Sequence, residues 1–251
     1  MRKQVLSAFL TAPLLFIIIN PRRQTNSLDA FLNSDKLEDR RASYLDILAN
    51  KEAYIDQIHN ELDIIQRTKD KRYKIFNKLT YLAAIIRNER FIDPLWKMLD
   101  DIDYLDSECI YCCPILFALT LYALYTDWSP SDDILAYELQ KEICREKERK
   151  EISLSTSEME KWLRDNGLQS VEELIRITGP ENPNISLRYN NVSLLASAIT
   201  DDRYLTELYW LAIEELATDV SGIYRCAIYE AILRAERAKA QKGGDFHDSF
   251  R

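Results

Sequence analysis

The sequence predicts an all-α protein, and three observations carry that expectation. First, the 251 residues include only 5 glycines and 7 prolines, far below the usual combined level of roughly 12%. Hairpin turns, bulges and glycine-rich phosphate loops need backbone positions that only glycine occupies without strain. Second, no G-x-G-x-x-G or G-x-x-x-x-G-K-[ST] string occurs, so a dinucleotide fold or a P-loop enzyme is disfavoured. Third, from residue 35 onward apolar residues recur at three- and four-residue spacing, separated by helix start and stop signals. The hydrophobic fraction of 47% and charged fraction of 29% suit a folded chain and exclude disorder over most of its length.

The amino terminus stands apart. Met1-Arg2-Lys3-Gln4 is a basic start, Val5 to Ile19 is an uncharged run, and Asn20-Pro21-Arg22-Arg23 closes it. This is the charge and hydropathy pattern of an export signal, although no A-x-A-like cleavage site follows. As a helix the run reaches about 22 Å, short of the ~30 Å hydrocarbon core. Three readings stand: an export signal or short uncleaved anchor (residues 1–23), a first core helix, or a mis-assigned start. The first places the protein outside the cytoplasm or on a membrane, with contact through residues 5–19. The second leaves it cytoplasmic.

Residues 24–127 read as N-terminal helical hairpins. Asp35-Lys-Leu-Glu38 has the form of a capping box and opens a helix to about Ala49. Tyr54, Ile55, Ile58, Leu62 and Ile65 share one face of the next helix. A third runs from about Tyr73 to Arg87, with Ile75, Leu79, Leu82, Ala83 and Ile86 as its stripe. Pro94 is tolerated only near a helix start, which places a break near Asn88. Ile110 to Tyr125 is apolar nearly all round and marks a buried central helix.

Residues 128–183 read as a charged helical insertion. Ser129-Pro130 with Asp132 starts a helix that becomes a charged rod over Glu138–Glu151. Ser155-Thr-Ser-Glu158 caps a short helix ending at Asn166-Gly167, and Ser170-Val-Glu-Glu173 caps another ending at Gly179. Gly179-Pro-Glu-Asn-Pro183 is a linker. Helices resume near Val192, making 184–242 a C-terminal repeat unit, and 243–251 a polar tail.

Few residues offer chemistry. The balance of 33 Lys and Arg against 41 Asp and Glu gives a net charge of −8, which repels phosphate backbones and argues against nucleic-acid binding. The basic stretch Arg67–Lys74 reads as a solvated loop and helix start. The two histidines, His59 and His247, lack the setting of a nucleophile elbow or an H-E-x-x-H site. Cys109-x-x-Cys112-Cys113 has no second C-x-x-C to complete a zinc site. Core packing is the favoured role for the five cysteines, with a disulfide as the alternative. The acidic run Asp100, Asp101, Asp103, Asp106 and Glu108 lacks the glycine and spacing of an EF-hand loop. No catalytic, metal or cofactor residue is expected.

An internal echo is more informative. Leu82-Ala-Ala-Ile-Ile-Arg-Asn-Glu-Arg-Phe-Ile-Asp-Pro-Leu95 matches Leu195-Ala-Ser-Ala-Ile-Thr-Asp-Asp-Arg-Tyr-Leu-Thr-Glu-Leu208 at an offset of 113 residues. Tyr111, Cys113, Ile115 and Ala118 fall on Tyr224, Cys226, Ile228 and Ala231 at that same offset. The pattern describes a tight helical hairpin in which an Asn or Asp with an acid caps the second helix. Arg90 and Arg203 occupy matching turn positions, where each is expected to bridge carboxylates or carbonyls between adjacent hairpins.

These segments resemble the HEAT-like (armadillo-type) helical repeat family. The resemblance is clear over Leu82–Leu99 and Leu195–Leu211 and looser over Arg41–Gln66. It implies a right-handed α-solenoid of antiparallel hairpins, interrupted by the middle insertion, and a non-enzymatic scaffold that binds another protein. Tyr204, Tyr209, Trp210, Tyr224 and Tyr229 are surplus aromatics near the second hairpin and are the candidate partner contacts. Separately, Ser157–Ile175 is similar to a helical hairpin in peptide-binding segments of periplasmic foldase-type chaperones. That similarity implies an alternative, in which the insertion cradles unfolded peptide.

Overall fold

The computed structural model describes residues 26–68, 73–100, 112–126, 128, 156–179, 182–184, 188, 195, 198–199, 202–218 and 222–242. All regular structure among these residues is helical. In chain order come α1 (Ser27–Asn33), α2 (Leu37–Ala49), α3 (Lys51–Thr68) and α4 (Tyr73–Ile86). A 3₁₀ turn (Glu89–Phe91) leads into α5 (Ile92–Asp100), followed by α6 (Cys112–Tyr125). Then follow α7 (Thr156–Asp165), α8 (Val171–Thr178), α9 (Leu205–Thr218) and α10 (Gly222–Gln241). The terminal runs 1–23 and 243–251, the charged rod, the acidic run 101–108 and the residues Cys109, Cys144 and His247 lie outside the described residues. No described helix is long and apolar enough to cross a membrane.

Local chemistry explains most boundaries. Asn88 turns its side chain onto the Arg90 N–H, so the break falls where Pro94 requires it. Ser170 accepts from the Glu173 N–H at 3.2 Å, while Glu173 accepts from the Gln169 N–H at 2.8 Å. Gly167 adopts φ +75° and ends α7. Two local expectations need correction. Residues 26–33 hold a helix that the sequence pattern does not announce; the Asn26 side chain caps it by accepting from Leu28 N–H. The capping box at Asp35 does not form. Ser34 instead accepts from the Lys36 N–H and donates to Asp39. Gly179 is the C-cap of α8, as expected; its N–H bonds the Ile175 carbonyl and its backbone is extended, at φ −68° and ψ 160°. A Cβ there would make an ordinary contact with Leu211 Cδ1, at 3.4 Å.

Helix pairing sets the architecture. α4 packs on α6, α6 on α10, α10 on α9, and α9 returns to α4, so four helices close a ring. α1 and α2 flank it on the α4 and α9 side, α3 and α5 on the α4 and α6 side, and α8 rests on α9. A strict solenoid contacts only neighbouring repeats and holds its ends apart. Here α2 and α4 meet α9, so the expected one-dimensional stack differs from the packing observed. The reason lies in the core. Phe117 of α6 stacks on Tyr229 of α10 at 4.1 Å between ring centres, with an interplanar angle of 7°. Tyr81 of α4 stacks 6.4 Å from each of them. Its hydroxyl donates to the Tyr209 carbonyl of α9 at 3.1 Å. Tyr44 of α2 continues the cluster to Phe31 and Trp210. Large aromatic faces from distant parts of the chain bury one another, and this draws the ends together. One continuous apolar cluster, from Leu28 to Ala235, crosses the N-terminal unit, the insertion and the C-terminal unit.

Two helix starts and several buried positions recur at the offset of the internal echo. α5 begins at Ile92 and α9 at Leu205, an offset of 113. Leu82 and Leu195, Leu95 and Leu208, Ile115 and Ile228, and Ala118 and Ala231 are all buried. The helix that follows each echoed turn packs on the next one, α5 on α6 and α9 on α10; most of residues 185–201, before the second turn, lies outside the described residues.

Candidate functional site: an open groove between α2, α8 and α9

The floor of the groove is the α9 stripe Glu207, Trp210, Leu211 and Glu214, at i, i+3, i+4 and i+7 on one helix face. α2 contributes Arg41 and Leu45, one turn apart. The end of α8 contributes Ile175, Arg176 and Gly179. The groove encloses about 530 Å³. Leu45 is 51% exposed, one of only two large apolar side chains so exposed among the described residues; the other is Ile64 on α3. The buried face of α2 is Arg40, Ser43, Tyr44 and Ile47, and Leu45 falls off it. An apolar residue placed out of register is therefore left at the surface, beside half-buried Trp210.

The groove's charge is partly cancelled from within. Arg41 forms an ion pair with Glu214 across the α2–α9 junction, and its guanidinium lies 5.7 Å from the centre of the Trp210 ring. Arg176 pairs with Glu173 at 3.8 Å on its own helix. The lining holds no serine, cysteine, lysine or histidine, and the described residues hold no cluster able to ligate a metal ion. What this arrangement can do chemically is bury apolar surface against Leu45 and Trp210. A second cleft of about 500 Å³, between α1 and α2, is lined by small polar residues and has no apolar floor.

The candidate aromatics divide. Trp210 lines the groove. Tyr204 is half-buried at the start of α9, with the Arg203 guanidinium 5.4 Å from its ring centre. Tyr209 and Tyr229 are core residues, each 1% exposed, which removes them as contact residues. Tyr229 is committed to the Phe117 stack. Tyr224 lies in the first turn of α10, and its side chain is outside the described residues.

The two turn arginines have different surroundings. Arg90 pairs with Asp56 of α3 at 2.5 Å on the exposed surface, an interaction of small energetic weight. The Glu172 carboxyl is held below its usual range chiefly by its own backbone N–H, and the charge of Arg203 is the last of the contributing causes. The Ser170 hydroxyl comes second among them. Cys113 is half-buried against the core, as its apolar setting suggests.

Sequence reading missed a buried polar node beside the ring. Glu236 of α10 is fully buried and accepts from the Tyr209 and Tyr125 hydroxyls, one on each carboxyl oxygen. Burial raises its pKa, opposed by those hydroxyls and by the charges of Lys239 and Arg87. Arg87 closes α4 at φ 53°, the one positive φ outside glycine among the described residues. This conformation costs roughly 1–2 kcal/mol. It aims the guanidinium over the Tyr125 ring, 4.3 Å from its centre. The missed groove residues were Arg41, Leu45, Ile175, Arg176, Glu207, Leu211 and Glu214. Their available signal was the out-of-register Leu45 and the Glu-x-x-Trp-Leu-x-x-Glu stripe.

Compared with known proteins, the chain matches no family model, no curated protein and no solved structure.

Proposed function

We propose that the chain is a non-enzymatic protein-binding scaffold, built from HEAT-like hairpins whose first and last members close on each other, with the α2/α8/α9 groove as its contact surface. One observation carries this reading: exposed Leu45 and half-buried Trp210 stand together in an open groove. Aromatic anchors in partly enclosed apolar sites are the residues that dominate binding energy in protein interfaces. The two hairpins repeated at an offset of 113 support the helical-repeat reading. The closure of α9 onto α2 supports a groove rather than an extended concave face.

The chaperone-like alternative is kept because α8, part of the insertion, forms one wall of this same groove. A pull-down from the native host with mass spectrometry separates the two. One stoichiometric folded partner, lost in Trp210→Ala and Leu45→Asp, supports the scaffold. A broad set of unfolded clients supports the chaperone. A partner retained by both variants removes the groove from the interface.

A further inference from the structure

The α2/α8/α9 groove is walled by helices, whose interior backbone groups are already paired. Where α8 ends at the groove, its last carbonyls are taken too. The Gly179 N–H donates to Ile175, the Asn182 side chain to Ile177 at 2.9 Å, and the Arg188 side chain to Thr178 at 3.2 Å. An extended segment laid there would bury its own amide groups against apolar side chains, a cost that accrues with each group left unpaired. A helix brings its backbone groups already paired and needs only to lower an apolar face. The groove suits such a face: Trp210 and Leu211 form its floor, Leu45 stands on the α2 wall and Ile175 on the α8 wall.

The charges set the sign of what the groove receives. Arg41 reaches Glu214, while Tyr44, further along α2, meets Trp210, a turn back along α9. The two helices run in opposite senses here, so Glu207, one turn before Trp210, lies toward Leu45. Glu214 is committed to Arg41, and Arg176 to Glu173 at 3.8 Å. Glu207 is exposed and makes no hydrogen bond or ion pair among the described residues. Of the four charged lining residues it alone is uncommitted, and the chain as a whole carries a net charge of −8, which favours the approach of a basic surface. We propose that the groove receives an amphipathic helix of the partner protein, with its apolar side chains seated between Leu45, Trp210 and Ile175 and a lysine or arginine about one turn away paired with Glu207. The proposal rests on the scaffold reading above and names the chemistry of the partner.

The test presents a display library of random peptides, each long enough for about four helical turns, to the immobilised full chain. The retained sequences are expected to carry apolar residues at i, i+3 or i+4 and i+7 together with Lys or Arg, and not to be retained by Trp210→Ala. One such peptide, synthesised, should become helical on binding by circular dichroism and bind Glu207→Lys about fivefold or more weakly. Glu160→Lys, an equal change of charge at an exposed site on α7 outside the groove, should leave its affinity unchanged. Glu207→Lys should in turn retain acidic peptides from the same library. Retained peptides that alternate apolar and polar residues or are rich in proline overturn the proposal, because such segments bind extended. So does a retained set without basic residues, an equal loss in both charge variants, or no enrichment over Trp210→Ala. The scaffold reading fails by a different result, a host partner whose affinity is unchanged in Trp210→Ala. A host partner weakened by Trp210→Ala but not by Glu207→Lys leaves the scaffold standing and removes the basic helix.

Discussion

Phe117→Leu tests whether the chain folds around one shared aromatic core. Phe117 and Tyr229 are each no more than 2% exposed, and their rings stack at 4.1 Å. They come from helices that begin 110 residues apart, Cys112 and Gly222. Replacing either ring by leucine is expected to cost about 1–3 kcal/mol from a total stability of about 5–15 kcal/mol. The informative quantity is the coupling between the two. Stacked aromatic pairs contribute about 0.5–1.5 kcal/mol beyond the area they bury, so the double-mutant cycle Phe117→Leu, Tyr229→Leu should give a coupling in that range. Equilibrium unfolding in urea, followed by circular dichroism, measures all four corners. A single transition that moves as a whole is expected, because one cluster spans the chain. Two separate transitions would refute the closed ring. So would costs that add to within about 0.3–0.5 kcal/mol, the behaviour of independent sites.

Other consequences follow from single residues. Asn88→Ala removes the side-chain cap of the turn before α5 and should lower stability by about 1 kcal/mol in the same assay. Glu236 has its pKa raised chiefly by burial, so its contribution to stability is complete below the ordinary glutamate range and is lost as pH rises through its folded value. Unfolding curves of Glu236→Gln measured from pH 4 upward should be flatter with pH than those of the parent, and identical slopes would contradict this. Lys78 is buried, donates to the Leu32 carbonyl at 2.6 Å at the end of α1, and has its pKa pushed down to about 8 by burial and by Arg40. Its contribution is complete above the unfolded lysine value and is lost as pH falls toward about 8. Stability should therefore rise between those limits in the parent and not in Lys78→Met.

How legible the fold was depended on the range of the interaction. α3, α5, α6, α7 and α8 follow from periodicity and caps written within a few residues of each boundary, as with Ser170 and Asn88. α1 escaped notice because its buried residues, Leu28, Phe31 and Leu32, make too short a pattern to stand out. Gly179 marks the end of α8 from local sequence alone and is its C-cap. The closure of α9 onto α2 and α4 was not legible at all. Helical spacing says which face of a helix is apolar, not which distant helix will cover it. The surplus of aromatics was visible, yet its allocation was not: Tyr81, Tyr209 and Tyr229 entered the core, while Trp210 lines the groove. Leu45 carried the one local signal of an exposed apolar site, its position off the buried face of α2.

The most direct measurement is the affinity of the full chain for its purified partner, by calorimetry, beside that of Trp210→Ala. Removal of an interface anchor costs about 2 kcal/mol or more, so a loss of roughly thirtyfold or greater is expected at unchanged stoichiometry. An affinity equal to the parent's, in a variant whose unfolding transition shows it to be folded, would contradict the assignment of the α2/α8/α9 groove as the binding surface.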